Sequence, residues 1–219
     1  MSETTKKTKY RTACIVGVRP RDLFGLDDRG AYKPLRERLE QAVDEAHRVR
    51  GIDTFVTGGA QGTDQLAFWA VHNIRRVEAR RGHPIDNVVF APYDGQSRHW
   101  RRHGSFGRDD YALMDDKATN VVTYAERTKS SPHPNTLITR RNREMVEHAS
   151  IVITVWPADR DVKSAHGSVA ATIRDAIRAD RFVYNIDPAT LEGAPIADVP
   201  AFHAYVEHLA DEKSHHERA

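Results

Sequence analysis

Short apolar runs, each ending at glycine or proline and each followed by a helix-length amphipathic stretch, set the tightest limit on how this chain can fold. Thr12 to Val16 (TACIV) is a continuous apolar run closed by Gly17, the pattern of a strand sheltered on both faces. Tyr32 to Arg50 then carries Leu35, Leu39, Ala42, Val43, Ala46 and Val49 at helical spacing, with Pro34 in the first turn and Gly51 just beyond. Ile52 to Thr57 predicts a second strand closed by Gly58 and Gly59. Asp64 to Arg80 predicts a second helix that Thr63 could cap, and Asn87 to Ala91 a third strand entering the turn at Pro92. Strands and helices alternating at these lengths imply an α/β fold, a mainly parallel sheet joined by right-handed crossovers and flanked by helices.

The pattern weakens from Tyr93 to Ser131. Thr119 to Tyr124 reads as a strand, RHWRRHGSFGRDD has no legible period, and KSSPHPN reads as a loop. Order returns with a short helix over Arg141 to Ala149, a strand over Ser150 to Trp156 (SIVITVW), a helix over Ser168 to Ala179, and a last sheet strand over Arg181 to Ile186. Phe202, Tyr205, Val206 and Leu209 suggest a terminal helix. The expected organisation is a flexible basic arm over residues 1–10, one domain over 11–210 and a frayed tail over 211–219.

Composition narrows the function. At 219 residues the chain suits one core, and 39% hydrophobic with 29% charged residues is a folded composition. Lys and Arg total 33 against 31 for Asp and Glu, so any attraction for a polyanion must come from local clustering. One cysteine, Cys14, excludes a disulfide framework and a thiolate zinc cluster, and makes reducing cytoplasm the expected compartment. No run approaches the ~20 apolar residues that span a bilayer, and the opening MSETTKKTKYR has no apolar signal core. The 12 histidines form no HExxH spacing, so neither a metal nor a resident cofactor is expected; His99 and His103, with Asp109 and Asp110 downstream, are the nearest approach to a ligand set.

Ligands of open parallel sheets are held beyond the carboxyl ends of the strands, and four segments fall there. Gly17 lets the backbone approach a ligand, and Arg19 offers fixed donors for phosphate or carboxylate; a plain turn is the alternative. Gly58, Gly59, Gln61, Gly62, Thr63 and Asp64 join a strand to a helix, where exposed amides can cradle an anion. Asp64 opposes a pure phosphate site and would instead cap the helix or accept from a ribose hydroxyl. Arg141, Asn142 and Arg143 can grip a phosphate, unless they are a solvated face. Gly167 and Ser168 stand ahead of a helix, as a second cradle or an ordinary capped loop. Trp100 and Phe106 interleave with Arg98, Arg101, Arg102 and Arg108, a pattern able to stack bases while meeting phosphates, or to form a flap.

ACIVGVRP, FVTGGAQGTDQLAFWAV, ITRRNREMVEHASIVITVW and KSAHGSVAATIRDAIRADRFVYNI occur in that order over Thr12 to Asp187. Together they resemble the SLOG superfamily, a Rossmann-like group that includes DprA (Smf), the YpsA-like proteins and the LOG phosphoribohydrolases. The segment around APYDGQ and Trp100 is closest to the YpsA-like group. The resemblance implies a Rossmann-like three-layer fold and a sheet-edge pocket for a nucleotide or nucleotide-derived ligand. It carries Gly58, Gly62, Thr63 and Asp64, then Arg141, Asn142 and Arg143, then Gly167, Ser168 and Thr172 onto the family's motifs. Single-stranded DNA binding of the DprA kind is one alternative. N-glycosidic cleavage of a nucleotide is another, weakened because Leu66 stands where the LOG motif has glutamate. A nucleotide-sized partner, no membrane and a homo-oligomer are expected.

Overall fold

The sheet is ordered by how much apolar surface each strand can hide. In the computed structural model, which describes residues 11–125 and 132–197, β1 (Thr12–Gly17) and β5 (Ile151–Val155) are buried almost throughout and lie side by side at the centre. Outward from β1 come β2 (Thr54–Thr57), β3 (Asp86–Ala91) and the mostly exposed edge strand β4 (Asn120–Thr123). Outward from β5 come β6 (Phe182–Ile186) and β7 (Gly193–Ala197), giving the order β4-β3-β2-β1-β5-β6-β7. All pairings are parallel except β6 with β7.

Helices α1 (Lys33–Arg48), α2 (Thr63–Ala79) and α3 (Arg108–Lys117) link the strands from β1 out to β4 and pack in sequence. The chain then doubles back. Helices α4 (Pro134–His148) and α5 (Ser168–Arg178) link β4 to β5 and β5 to β6 and pack on each other. With right-handed crossovers, reversing the direction of travel puts these two helices on the other face, which makes three layers. Leu35, Leu39, Ala42, Val43 and Ala46 turn α1 onto the sheet as the spacing predicts, but Val49 is 58% exposed and lies past the helix end. Cys14 is fully buried in β1, and burial pushes its thiol up to about 12.

Three elements depart from the sequence expectations. α3 was hidden because it buries only Tyr111 and Met114 along its ten residues. α4 starts seven residues before Arg141: Pro134 suits a first helical turn, and His133 accepts the amide of Asn135. β6 is not the last strand, because an exposed antiparallel edge strand, β7, follows it. Thr63 does not cap α2 either; Gly62 holds that position, and the Thr63 hydroxyl donates to the Val18 carbonyl at 3.0 Å. The basic arm at 1–10, the terminal helix at Phe202 to Leu209 and the tail at 211–219 lie outside the described residues. No helix among the described residues is long and apolar enough to cross a membrane.

Candidate functional site

At the carboxyl edge of the sheet the turn after β1 is locked to the turn after β2. A Cβ on Gly17 would fall 2.6 Å from the Thr63 side chain, and one on Gly62, whose φ is +92°, would fall 2.9 Å from Pro20. These glycines therefore serve backbone packing, and the cradle they form is a close-fitted double turn. Gly59, at φ +66°, approaches Gln96, Tyr111 and Met114 in the same way.

Arg141 reaches over this edge from α4. Its Nη1 donates to the Phe90 carbonyl at 2.9 Å at the end of β3, and its guanidinium occupies the space where a Cβ of residue 58 would be, 1.6 Å from Nη1 and 2.6 Å from Asp64 Oδ2. A cation from one helical layer and a carboxylate from the other thus face each other across Gly58. Arg141 is 2% exposed and Asp64 7%. Burial pushes the Asp64 carboxyl up, while the charges of Arg141 and Arg19 and the amides of Ala60 and Gly58 pull it back. Burial likewise lowers the Arg141 guanidinium to about 10, against the raising pull of Asp64. The Nε of Arg141 is buried without a hydrogen-bond partner.

Over this pair opens a cavity of about 540 Å³. Its wall takes Arg19, Arg21 and Leu26 from the segment after β1, Ala60 and Gln61 from the turn after β2, Tyr93, Gln96, Trp100 and Arg101 from the segment after β3, and Ile138 and Arg141 from α4. Gln96 forms part of the floor, donating to the Tyr111 hydroxyl at 2.8 Å and to the Gly58 carbonyl at 3.3 Å. Gln61 is held by donation to the Phe106 carbonyl at 3.0 Å. Arg21 and Arg101 pair with Asp22 and Asp27, all four at or near the surface. Arg19 is half-buried; its carbonyl accepts from Asp22 N at 2.9 Å, and its guanidinium makes no hydrogen bond or close ion pair among the described residues.

The sequence-derived residues divide accordingly. Arg19, Gln61 and Arg141 meet on the cavity wall, with Gly58, Gly59 and Asp64 packed behind it. Asn142 instead donates to the Thr172 hydroxyl at 2.8 Å and fastens α4 to α5, and Arg143 is exposed. Gly167 and Ser168 open α5 away from this wall, with nothing within 4 Å of a Cβ on Gly167. The Arg98 to Arg108 segment also splits: Trp100 faces the cavity, edge-on to Tyr111 at 5.4 Å, whereas Phe106 is buried against Tyr32 at 4.8 Å. Gln96, which the sequence places only within APYDGQ, and Gly25 to Asp27 are wall residues beyond those expected: each follows or contains a positive-φ glycine, Gly95 or Gly25, but neither leads directly from a strand into a helix.

His103 meets Asp109 at 2.7 Å on the surface, without His99. Elsewhere His47, Glu78 and His83 bring three ligand atoms within 4.8 Å. Arg48 and Arg81 bind the same Glu78 carboxylate, at 2.9 and 2.7 Å, so its charge is already balanced by cations that would repel a metal ion.

Fold and rim together define a Rossmann-like α/β protein with a cavity beside the point where the strand order reverses. The chain belongs to the YspA SLOG family, whose model matches residues 13–191. That membership places it in a superfamily with a general role in nucleotide binding or processing. An uncharacterised SPbeta prophage-derived protein of Bacillus subtilis, YoqJ, is 25% identical over 131 residues, covering 58% of this chain and 74% of YoqJ. Among solved structures, DNA processing protein A of Streptococcus pneumoniae aligns over 93% of this chain at 14% identity and a TM-score of 0.46, and this chain spans only 58% of its length. The Helicobacter pylori protein of that name, described for its single-stranded DNA binding mode, aligns over 96% of this chain and 85% of its own at 12% identity and a TM-score of 0.49.

Proposed function

We propose that the rim cavity binds a mononucleotide or a nucleotide-derived compound. One observation carries the reading: a cavity of about 540 Å³ brings two aromatic rings, Tyr93 and Trp100, together with the guanidinium groups of Arg19, Arg21, Arg101 and Arg141. Concave sites of ~300–1,000 Å³ suit ligands of this size. Rings offer a face to a base, and guanidinium forks suit phosphate oxygens. Arg19 is the phosphate ligand, since it is the wall arginine whose guanidinium makes no hydrogen bond or close ion pair among the described residues and feels Asp64 only through its charge. Arg141 holds the floor, and Gln61 and Gln96 supply neutral donors.

The hydrolase alternative loses support at Asp64. That carboxylate accepts from Ala60 N at 3.2 Å behind Gly58, and the wall carboxylate is Asp27, which Arg101 neutralises at the surface. Single-stranded DNA binding keeps Trp100 and the exposed arginines near it, but loses Phe106 as a stacking face.

A thermal-shift titration separates these readings. Nucleoside monophosphates and ADP-ribose are expected to raise the melting temperature by about 5 °C or more at a hundredfold excess over Kd. Oligonucleotide binding whose affinity falls by ~0.7 logarithmic units per phosphate contact for each tenfold rise in salt, without any small-ligand shift, would replace the proposal with the DNA reading.

A further inference from the structure

A second concavity, of about 320 Å³, lies on the α1–α2 layer. Lys33 and Arg36 enter it from successive turns of α1, and Gln65 and Trp69 from successive turns of α2. Phe106 and Ser105 close it from the segment before α3. It shares no wall residue with the rim cavity.

Gln65 makes this more than a surface dent. It is 1% exposed, and neither its amide nitrogen nor its amide oxygen has a hydrogen-bond partner. A buried polar group left bare is costly, and Gln65 lines the cavity with its amide nitrogen and oxygen both shielded from solvent, a donor and an acceptor that a turn of the side chain brings to an occupant. The two ends of a glutamine amide match adjacent acceptor and donor atoms on the edge of a planar nitrogen heterocycle. Trp69, half-buried beside it, offers an indole.

The cations complete the selection. Arg36 Nε is buried without a hydrogen bond and stands 3.7 Å from Glu40, and Lys33 stands 3.8 Å from Glu37 at the surface, so neither makes a close ion pair. The carboxylate on the wall, Asp110, is taken by Arg29 and by the Phe106 amide at 2.9 Å. The wall thus offers an amide without a partner, an indole that meets Phe68 and His72 edge-on at 5.2 and 5.4 Å, and two cations held only by long ion pairs to Glu37 and Glu40 of their own helix. From this we infer a second binding site, for a heteroaromatic ring bearing an anionic group, in which Gln65 reads the ring edge, Trp69 covers the ring face, and Lys33 and Arg36 hold the anion. It stands independently of the rim site.

The chain's three tryptophans allow one experiment to read both sites. Trp69 lines the second concavity and Trp100 the rim cavity, while Trp156 is buried and donates to the Arg160 carbonyl. The full chain, labelled with 5-fluorotryptophan, is titrated with each of the four common nucleoside 5′-monophosphates, with the matching nucleosides and with inorganic phosphate, and followed by fluorine NMR. At least one monophosphate is expected to shift the Trp69 resonance saturably. Gln65→Leu and the double variant Lys33→Ala/Arg36→Ala are each expected to weaken that response roughly tenfold. Gln65→Leu removes an unpaired amide and so is expected to fold normally, which the unchanged Trp156 resonance checks. A Trp69 resonance unmoved by all four monophosphates would overturn the inference. So would a shift indifferent to these substitutions, or one reproduced equally by nucleoside or phosphate alone. Movement of Trp100 reports on the rim cavity separately.

Discussion

At Gly58 a single missing methyl group makes room for a guanidinium. Arg141 would lie 1.6 Å from a Cβ there, so Gly58→Ala must expel it from beneath the cavity and leave Asp64 buried without its opposing charge. The expected cost is about 3 kcal/mol, read as a lower midpoint in urea denaturation at unchanged slope. A midpoint equal to the parent's would mean that Arg141 is not held where it is described. The glycines of this turn read from the sequence as places where the backbone can approach a ligand, and in the fold Gly17 and Gly62 lie tight against the Thr63 side chain and Pro20. The cluster Arg141-Asn142-Arg143 was not separable from sequence. Consecutive helical residues point ~100° apart, so one reaches the sheet edge, the next Thr172 and the third the solvent.

Among the elements, α1 and α2 are joined at their carboxyl ends by Glu78, which accepts from Arg48 and Arg81 and has His83 Nδ1 3.3 Å from its second oxygen. Burial pushes this carboxyl up, but the hydrogen bonds from His83 and Arg81 and the charge of Arg48 outweigh it and leave it below its ordinary value. A carboxyl depressed in the folded state gives stability that is complete above its unfolded pKa and disappears as pH falls through the folded one. Glu78→Gln is therefore expected to cost about 2 kcal/mol at neutral pH, and the difference from the parent to shrink as the pH is lowered through the carboxylate range. Chemical denaturation across that range checks it, and a difference independent of pH would contradict it. At this scale the strands of the centre and the helices α1, α2 and α5 were readable, because each hides a regular apolar pattern. α3 and β7 escaped for the opposite reason, as edge elements with few buried side chains. The amino-terminal half of α4, Pro134 to Arg140, was missed because Leu137 is its single buried position and leaves no apolar period to read.

For the molecule as a whole, doubling back from β4 to β5 is what allows a residue of one helical layer to meet the loops of the other over the sheet edge. The parallel order follows from alternating strands and helices, so the edge on which a site must form was readable from the sequence. Which loops would share it was not: the segment after β5 reaches the loop after Pro20 through Arg160 and Asp22 but leaves Gly167 and Ser168 off the cavity wall, while Gln96, Trp100 and the loop after Pro20 line it. Those choices depend on packing between distant segments, such as Gln61 on Phe106 and Gln96 on Tyr111. The most direct measurement is isothermal titration of the parent, Arg19→Ala and Trp100→Ala with the mononucleotide or ADP-ribose that gives the largest thermal shift. Saturable binding by the parent, weakened roughly tenfold or more by each substitution, is the expected result. Binding of equal strength in all three proteins, or none in the folded parent, would contradict a nucleotide site in this cavity.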